Sequence, residues 1–335
     1  MSNIFIIAEV GSVHDGSFGN AQKLIELAAS CGADAIKFQT HLASAETLRN
    51  APMPQYFKGE PRYEYFERTG FSPEEWKQLS VIARGNNIEF LSSPFSIEAV
   101  NLLEQVNIGH YKIPSGEVSN IPLLEAVAET GKPVFLSSGM SNWEELDRAV
   151  ATIRRRHDKL CVMQCTSTYP CPPQSVGLNV LAEIRKRWEV EVGYSDHTLD
   201  NYACFAAVAL GATVIEKHMT FSRHMYGSDA SHSAEPSQFI DLARGIREIS
   251  EMLDNPVVKD NIGQVSEMKR IFEKSVVSTC RISAGTTITA AMVAVKKPGD
   301  GIPAARLIDV VGCRALVDIQ PDTTISDTAI EWQKL

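Results

Sequence analysis

The sequence predicts a closed (β/α)8 barrel followed by a small β-rich domain. Three observations carry this expectation. Short apolar, β-branched runs alternate with longer segments of helical period; eight such pairs fill about 250 residues; and the pattern changes after Leu253. An open doubly wound sheet is the competing arrangement of the same elements.

The first run, IFIIAEV (4–10), reads as a strand and not as a signal peptide, because Glu9 interrupts the apolar stretch and no basic segment precedes it. The next runs are AIKFQT (35–40), IEFLSS (88–93), HYKIPS (110–115), PVFLSS (133–138), LCVMQCT (160–166), VEVGYS (190–195) and TVIEKH (213–218). Between them lie segments of helical period, from AQKLIELAASCG to PSQFIDLARGIREISEML, and Gly32 and Gly131 fall where a helix stop belongs. The barrel therefore spans 1–254. A polar linker with some helix follows over 255–274, and 275–335 forms a second domain of short β pieces. A domain that small buries little core, so docking on the barrel or on a second subunit is expected.

Composition narrows the function. The 335 residues are 44% hydrophobic and 22% charged, which excludes disorder, and the net charge of −9 argues against nucleic-acid binding. No stretch approaches the ~18 apolar residues of a membrane span. The seven cysteines are odd in number and lie in apolar patterns, as expected of reduced thiols in a cytoplasmic protein. Cys161, Cys165 and Cys171 lack paired metal-site spacing and read as small buried hydrophobes.

Barrel enzymes carry their chemistry at the carboxyl ends of the strands. Here every end is polar: Glu9, His14 and Asp15; Lys37 and Gln39; Ser92, Ser93 and Phe95; Lys112, Ser115 and Glu117; Ser137 and Ser138; Thr166, Ser167 and Tyr169; Asp196 and His197; Glu216, Lys217 and His218. Burying so many polar groups without partners is costly, at roughly 1–3 kcal/mol each, so a ligand site accounts for them better than a self-satisfied cap. Lys37 and Lys112, with hydroxyls at Ser115, Ser137 and Ser167, point to an anionic ligand. His197 and His218 on neighbouring strand ends, with Glu216 beside them, suit a divalent metal such as Mn2+ or Mg2+. In the loop that follows, Asp229 is a candidate for binding substrate hydroxyls, while His224 and His232 are expected to face solvent. The first strand is not followed by GxGxxG and the chain has no Walker loop, which removes hydride-transfer and P-loop chemistry.

The ordered motifs AEVGSVHDG, KFQTH, SSPFS, KIPSGE, SSGMS, CTSTYPCPP, GYSDHT and EKHMTF resemble the sialic acid synthase family, and KKPGDGIPAARL resembles its C-terminal SAF, or antifreeze-like, domain. The resemblance covers nearly the whole chain. It implies a TIM barrel with an antifreeze-like domain that covers the partner's active site in a domain-swapped homodimer. The implied reaction condenses phosphoenolpyruvate with an N-acetylated hexosamine, typically N-acetylmannosamine, to a nine-carbon 3-deoxy-2-keto sugar acid with release of phosphate. Carried over by position, His197 and His218 resemble metal ligands. Lys37, Lys112, Ser115, Ser137 and Ser167 resemble phosphoenolpyruvate contacts, and Gln39, Tyr169 and Asp229 resemble sugar contacts. Glu9, Glu117 and Glu216 fall on the family's acidic positions and are the expected catalytic residues, Glu117 or Glu216 moving protons, and Phe95 falls on an apolar wall.

Three departures stand out: Ser167 where Asn can occur, Phe38 where some members carry Ser, and Lys297 in place of an arginine that reaches the sugar N-acetyl group from the partner subunit. Sialic, legionaminic and pseudaminic products stay open, as does a non-catalytic sugar-binding protein. Related barrel synthases that take phosphorylated sugars lack the antifreeze-like tail, which sets them apart in this reading.

Overall fold

A computed structural model describes residues 4–52 and 59–333. The chain divides into two compact units, Met1–Pro256 and Val257–Leu335.

In the first unit eight parallel strands close into a barrel: β1 (Phe5–Gly11), β2 (Ala35–Thr40), β3 (Glu89–Pro94), β4 (Tyr111–Ile113), β5 (Val134–Ser137), β6 (Leu160–Cys165), β7 (Glu191–Asp196) and β8 (Val214–His218). The ring is sealed by β1 on β8, with Glu9 opposite His218. This closure decides against the open sheet. β4 is shorter than the expected run because Pro114 leads the chain into a 3-10 turn at Ser115–Glu117.

Around the barrel run α1 (Phe18–Ser30), α2 (Ala43–Glu46), α3 (Arg62–Thr69), α4 (Pro73–Gly85), α5 (Ile97–Val106), α6 (Ile121–Glu129), α7 (Trp143–Arg154), α8 (Asn179–Trp188), α9 (Tyr202–Ala209) and α10 (Pro236–Asp254). Their starts are written locally. Ser72 and Asn142 form capping boxes with Glu75 and Glu145, and Ser17, Ser96 and Asn120 cap α1, α5 and α6 through their side chains. Gly32 and Gly131 follow α1 and α6 at φ +88° and +69°, where a Cβ would be strained. The short α2 and the strongly polar α3, both between β2 and β3, are not foreseen by periodicity, which registers only the longer amphipathic helices.

Successive strand residues alternate between the barrel lumen and the helix layer. Ile7, Ala35, Leu91, Phe135, Cys161, Met163 and Val214 meet inside the barrel as an apolar plug. The outward residues, among them Ile6, Ile36, Phe38 and Tyr111, pack against the helices in the main core.

The second unit pairs β9 (Ser275–Ser278) antiparallel with β10 (Val293–Lys296) and has its own small core, including Val276, Ile282, Ile288, Ile302 and Ile325. Residues 254–274 are all exposed.

Candidate functional site

One step up each strand from the apolar plug, the lumen turns polar. Glu9, Lys37, Lys112, Ser137, Ser195 and Glu216 all line a cavity of about 310 Å3 at the carboxyl ends of the strands. The two lysines are each 3% exposed and are held by carboxylates. Lys37 Nζ lies 2.6 Å from Glu9 Oε2 and 3.6 Å from Glu216 Oε1, and Lys112 Nζ lies 3.0 Å from Glu216 Oε1. Ser195 Oγ donates to the same Glu216 oxygen at 3.1 Å. For Glu216 and Lys37 burial favours the neutral form, yet attraction between opposite charges wins. The Lys112 and Lys37 ammoniums hold the Glu216 carboxyl far below the usual carboxylate range, and Glu216 and Glu9 hold the Lys37 ammonium above its ordinary value. The array is therefore charged yet nearly neutral in sum, with its ammoniums fixed in place. Glu216 Oε2 remains buried without a hydrogen-bond partner among the described residues.

The two histidines face each other over this array, with ring centres 5.6 Å apart. His197 Nδ1 lies 2.7 Å from the Thr166 carbonyl oxygen, which can only accept, so Nδ1 carries a proton and Nε2 is the nitrogen left for a ligand. His218 Nδ1 is buried with no hydrogen-bond partner among the described residues, and burial holds its imidazole below the ordinary range for histidine. Burial disfavours the charged form of His197, but Cys165, the Thr166 carbonyl and Glu216 outweigh it and raise this imidazole above its ordinary value, so a divalent cation held by the two histidines, one of them orphaned, would take the place of a proton at His197. Imidazole ligation suits Mn2+ better than Mg2+. Among the described residues no group of three or more His, Cys, Asp or Glu side chains converges on one point, so Glu216 stands with the lysines and not as a third ligand. Tyr169 tilts over His197 at 4.1 Å, and Asp229 Oδ2 accepts from the Ser12 backbone N–H at 3.1 Å on the His218 side.

Towards the mouth, Gln39 Nε2 donates to Glu9 Oε1 at 2.8 Å, and its Oε1 meets His41 Nε2 at 3.1 Å. His41 is stacked between Phe66 and Phe95, with ring centres at 3.7 and 4.0 Å, and its Nδ1 lies 2.7 Å from Glu46. Phe95 thus lines the cavity with its ring against His41.

Of the residues singled out in the sequence, Glu9, Lys37, Gln39, Phe95, Lys112, Ser115, Ser137, Ser167, Tyr169, His197, Glu216, His218 and Asp229 all line this one cavity. Glu117 does not. Its Oε2 accepts from Asn120 at 2.8 Å beside the mouth, and burial raises its carboxyl. Lys297 belongs to the second unit, where its ammonium lies 4.7 Å over the Phe272 ring. Strand parity removes several other polar ends from the lumen. Lys217 and Asp196 pair with each other on the outer side, Ser92 bonds Thr40, Ser138 bonds Gln164, and His14 packs on Phe71. His224 is exposed as expected, whereas His232 is half-buried in the 3-10 turn Ala230–His232.

The sequence reading missed Ser195, Cys165, His41, Arg62 and Phe66, all on the cavity wall. Ser195 and Cys165 could have been found by counting alternate residues inward from Gly193 and Met163. Arg62, Tyr65 and Phe66 share one face of α3 at helical spacing.

Comparison with known proteins fits this geometry. Residues 24–258 match the NeuB family, and residues 273–331 match the SAF domain. The chain belongs to the NeuB family. Within this family it is 34% identical, over 98% of its length and all of the relative's, to N,N'-diacetyllegionaminic acid synthase of Campylobacter jejuni. It is also 34% identical to N-acetylneuraminate-9-phosphate synthase of Mus musculus, over 98% of this chain and 92% of that one. Among solved structures, N-acetylneuraminic acid synthetase from Leptospira borgpetersenii superposes with a TM-score of 0.70 at 30% identity, covering 80% of this chain and 91% of that one. The mouse relative corrects one expectation. A NeuB protein matching this chain through its tail is named for a phosphorylated product, so an antifreeze-like tail carries no argument against phosphorylated sugars.

Proposed function

We propose that this NeuB-family protein condenses phosphoenolpyruvate with the open-chain aldehyde of an N-acetylated hexosamine, releasing phosphate and forming a nine-carbon 3-deoxy-2-keto sugar acid. The observation that carries this reading is the pair of buried ammoniums, Lys37 and Lys112, fixed by Glu9 and Glu216 beneath two facing imidazoles.

Phosphoenolpyruvate is a small trianion, and two preset ammoniums with the Ser115, Ser137 and Ser167 hydroxyls around them supply its counter-charge and short donors. Because the lysines are already held by carboxylates, binding requires no search for their geometry. His197 and His218 would hold the divalent cation, Mn2+ before Mg2+, which supplies Lewis-acid polarisation of a carbonyl. Carbon 3 of the enol forms the new bond to the aldehyde carbon, whose oxygen gains a proton. Water then adds at carbon 2 and loses a proton, and the carbon 2 to phosphate-oxygen bond breaks to leave the ketone. Glu216, deeply ionised, serves to orient the lysines and is a poor proton donor. Glu117 has the raised carboxyl suited to proton transfer but lies off the cavity wall, so its role reaches the site only through the mouth. Gln39, Tyr169 and Asp229 would meet the sugar.

N-acetylmannosamine, neutral or carrying a charged group at the end remote from its aldehyde, is the first acceptor in this reading. A sugar with two acetylated nitrogens is the second, favoured by the likeness to the legionaminic acid synthase. The same reading places the protein in the cytoplasm as a homodimer in which the SAF domain of one chain, with Lys297, covers the site of the other. The exposed run Val257, Val258, Ile262, Val265, Met268, Ile271 and Phe272 supports a partner surface there.

The test is incubation with phosphoenolpyruvate, Mn2+ and a panel of N-acetyl hexosamines, following phosphate release and identifying the acid by mass. Phosphate release that depends on both the sugar and Mn2+ is expected. Binding of sugar without any release would leave a non-catalytic sugar-binding protein.

A further inference from the structure

From Lys37 the cavity wall climbs outward through Gln39 to His41, from His41 to the stacked Phe66, and from Phe66 to Arg62. Arg62 is the first residue of α3, half-buried, and its guanidinium lies 5.2 Å from the centre of the Phe66 ring. Its Nε is shut away from water and has no hydrogen-bond partner among the described residues. The contrast with the deep cations is sharp. Lys37 and Lys112 each lie against a carboxylate, whereas among the described residues Arg62 has no ion-pair partner, and Glu117, which feels its charge, is bonded to Asn120. An ammonium neutralised by the protein can wait for a ligand at little electrostatic cost. A guanidinium left without a counter-charge against an aromatic wall is completed by a ligand that brings one, and its fork of N–H groups matches two oxygens of one anionic group.

We propose that Arg62 is a specificity-determining residue that receives an anionic group, phosphate or carboxylate, carried by the acceptor sugar at the end remote from its aldehyde. This rests on the condensation proposed above, in which the aldehyde lies by the imidazoles and the rest of the sugar extends along the Gln39–His41–Phe66 wall to Arg62.

The experiment compares kcat/KM for N-acetylmannosamine, its 6-phosphate and the corresponding uronic acid in the wild type, Arg62→Met and Arg62→Lys, with phosphoenolpyruvate saturating. The wild type should favour one anionic acceptor over the neutral sugar at least tenfold, and which one wins identifies the anion. Arg62→Met, which keeps the stem against Phe66, should reduce that preference to less than twofold, and Arg62→Lys should fall between. A wild type that prefers the neutral sugar, or a preference that survives Arg62→Met, overturns the proposal. If no sugar is turned over, the condensation reading fails, and calorimetry of the same three sugars then decides for Arg62. Tighter binding of an anionic sugar that weakens tenfold in Arg62→Met upholds the role, and equal or absent binding ends it. Should Arg62→Met not fold, Arg62→Lys carries the same comparison.

Discussion

Two buried clusters of charge lie on opposite sides of the same sheet, and they differ in how completely they are satisfied. On the outer side, Lys217 Nζ bonds Asp196 and the carbonyl oxygens of Thr198 and Asp200, while Asp196 also accepts from Tyr194 and from the Thr198 N–H and hydroxyl. On the lumen side, among the described residues, Lys112 Nζ has only Glu216, and Glu216 Oε2 and His218 Nδ1 have no hydrogen-bond partner. Burial is equally deep in both. A network that closes on itself holds the fold together, whereas one that leaves lone pairs facing a cavity keeps them for a ligand.

The contrast can be broken by mutation, and the largest effect belongs to the closed network. Lys217→Met strands Asp196 as an unpaired buried charge and should cost about 3–5 kcal/mol of stability; denaturant unfolding measures it, and a loss under about 1 kcal/mol would show the outer pair to be dispensable. His218→Ala should lower kcat/KM by about a thousandfold, roughly 4 kcal/mol at the barrier, with no rescue by added Mn2+ and a melting temperature close to wild type. Activity that survives both this change and a chelator would remove the cation from the reaction. Lys112→Met should raise the phosphoenolpyruvate requirement by about a hundredfold while acceptor dependence moves far less; steady-state kinetics with each substrate varied in turn separates the two.

A smaller effect sharpens the outer side. Burial between Phe38 and Phe71 lowers the His14 imidazole from 6.5 to about 4. The unfolded chain therefore takes up this proton first as pH falls. The stabilisation is intact above about pH 6.5, is lost progressively towards pH 4, and amounts to about 3 kcal/mol. Unfolding curves from pH 7 to pH 4 should be less steep in His14→Gln, and an unchanged slope would exclude His14 as a contributor. The smallest change is Ser195→Ala, which removes one donor from Glu216 at a cost of about 1 kcal/mol in transition-state binding.

Much of this site was legible in the strand ends. Glu9, Lys37, Gln39, Lys112, Ser137, Glu216 and His218 stand out because each interrupts an apolar run, and a closed barrel brings such ends to one rim. Lys217 and Asp196 carry the same local signal yet point the other way, since the direction of a strand residue depends on register and not on its neighbours in sequence. His41 and Arg62 lay beyond periodicity altogether. They sit on the excursion between β2 and β3, which is brought to the mouth by stacking on Phe66 and Phe95.

The sequence by itself determined the eight alternating elements, the helix caps and stops, the family and the inventory of ionisable groups. These are properties of short stretches, written by period, propensity and motif. Only the tertiary structure decided which charges pair, which lone pairs stay open, and that a guanidinium from a polar helix shares a cavity with lysines from two strands. Burial and partnership depend on residues far apart in the chain, so no local pattern encodes them.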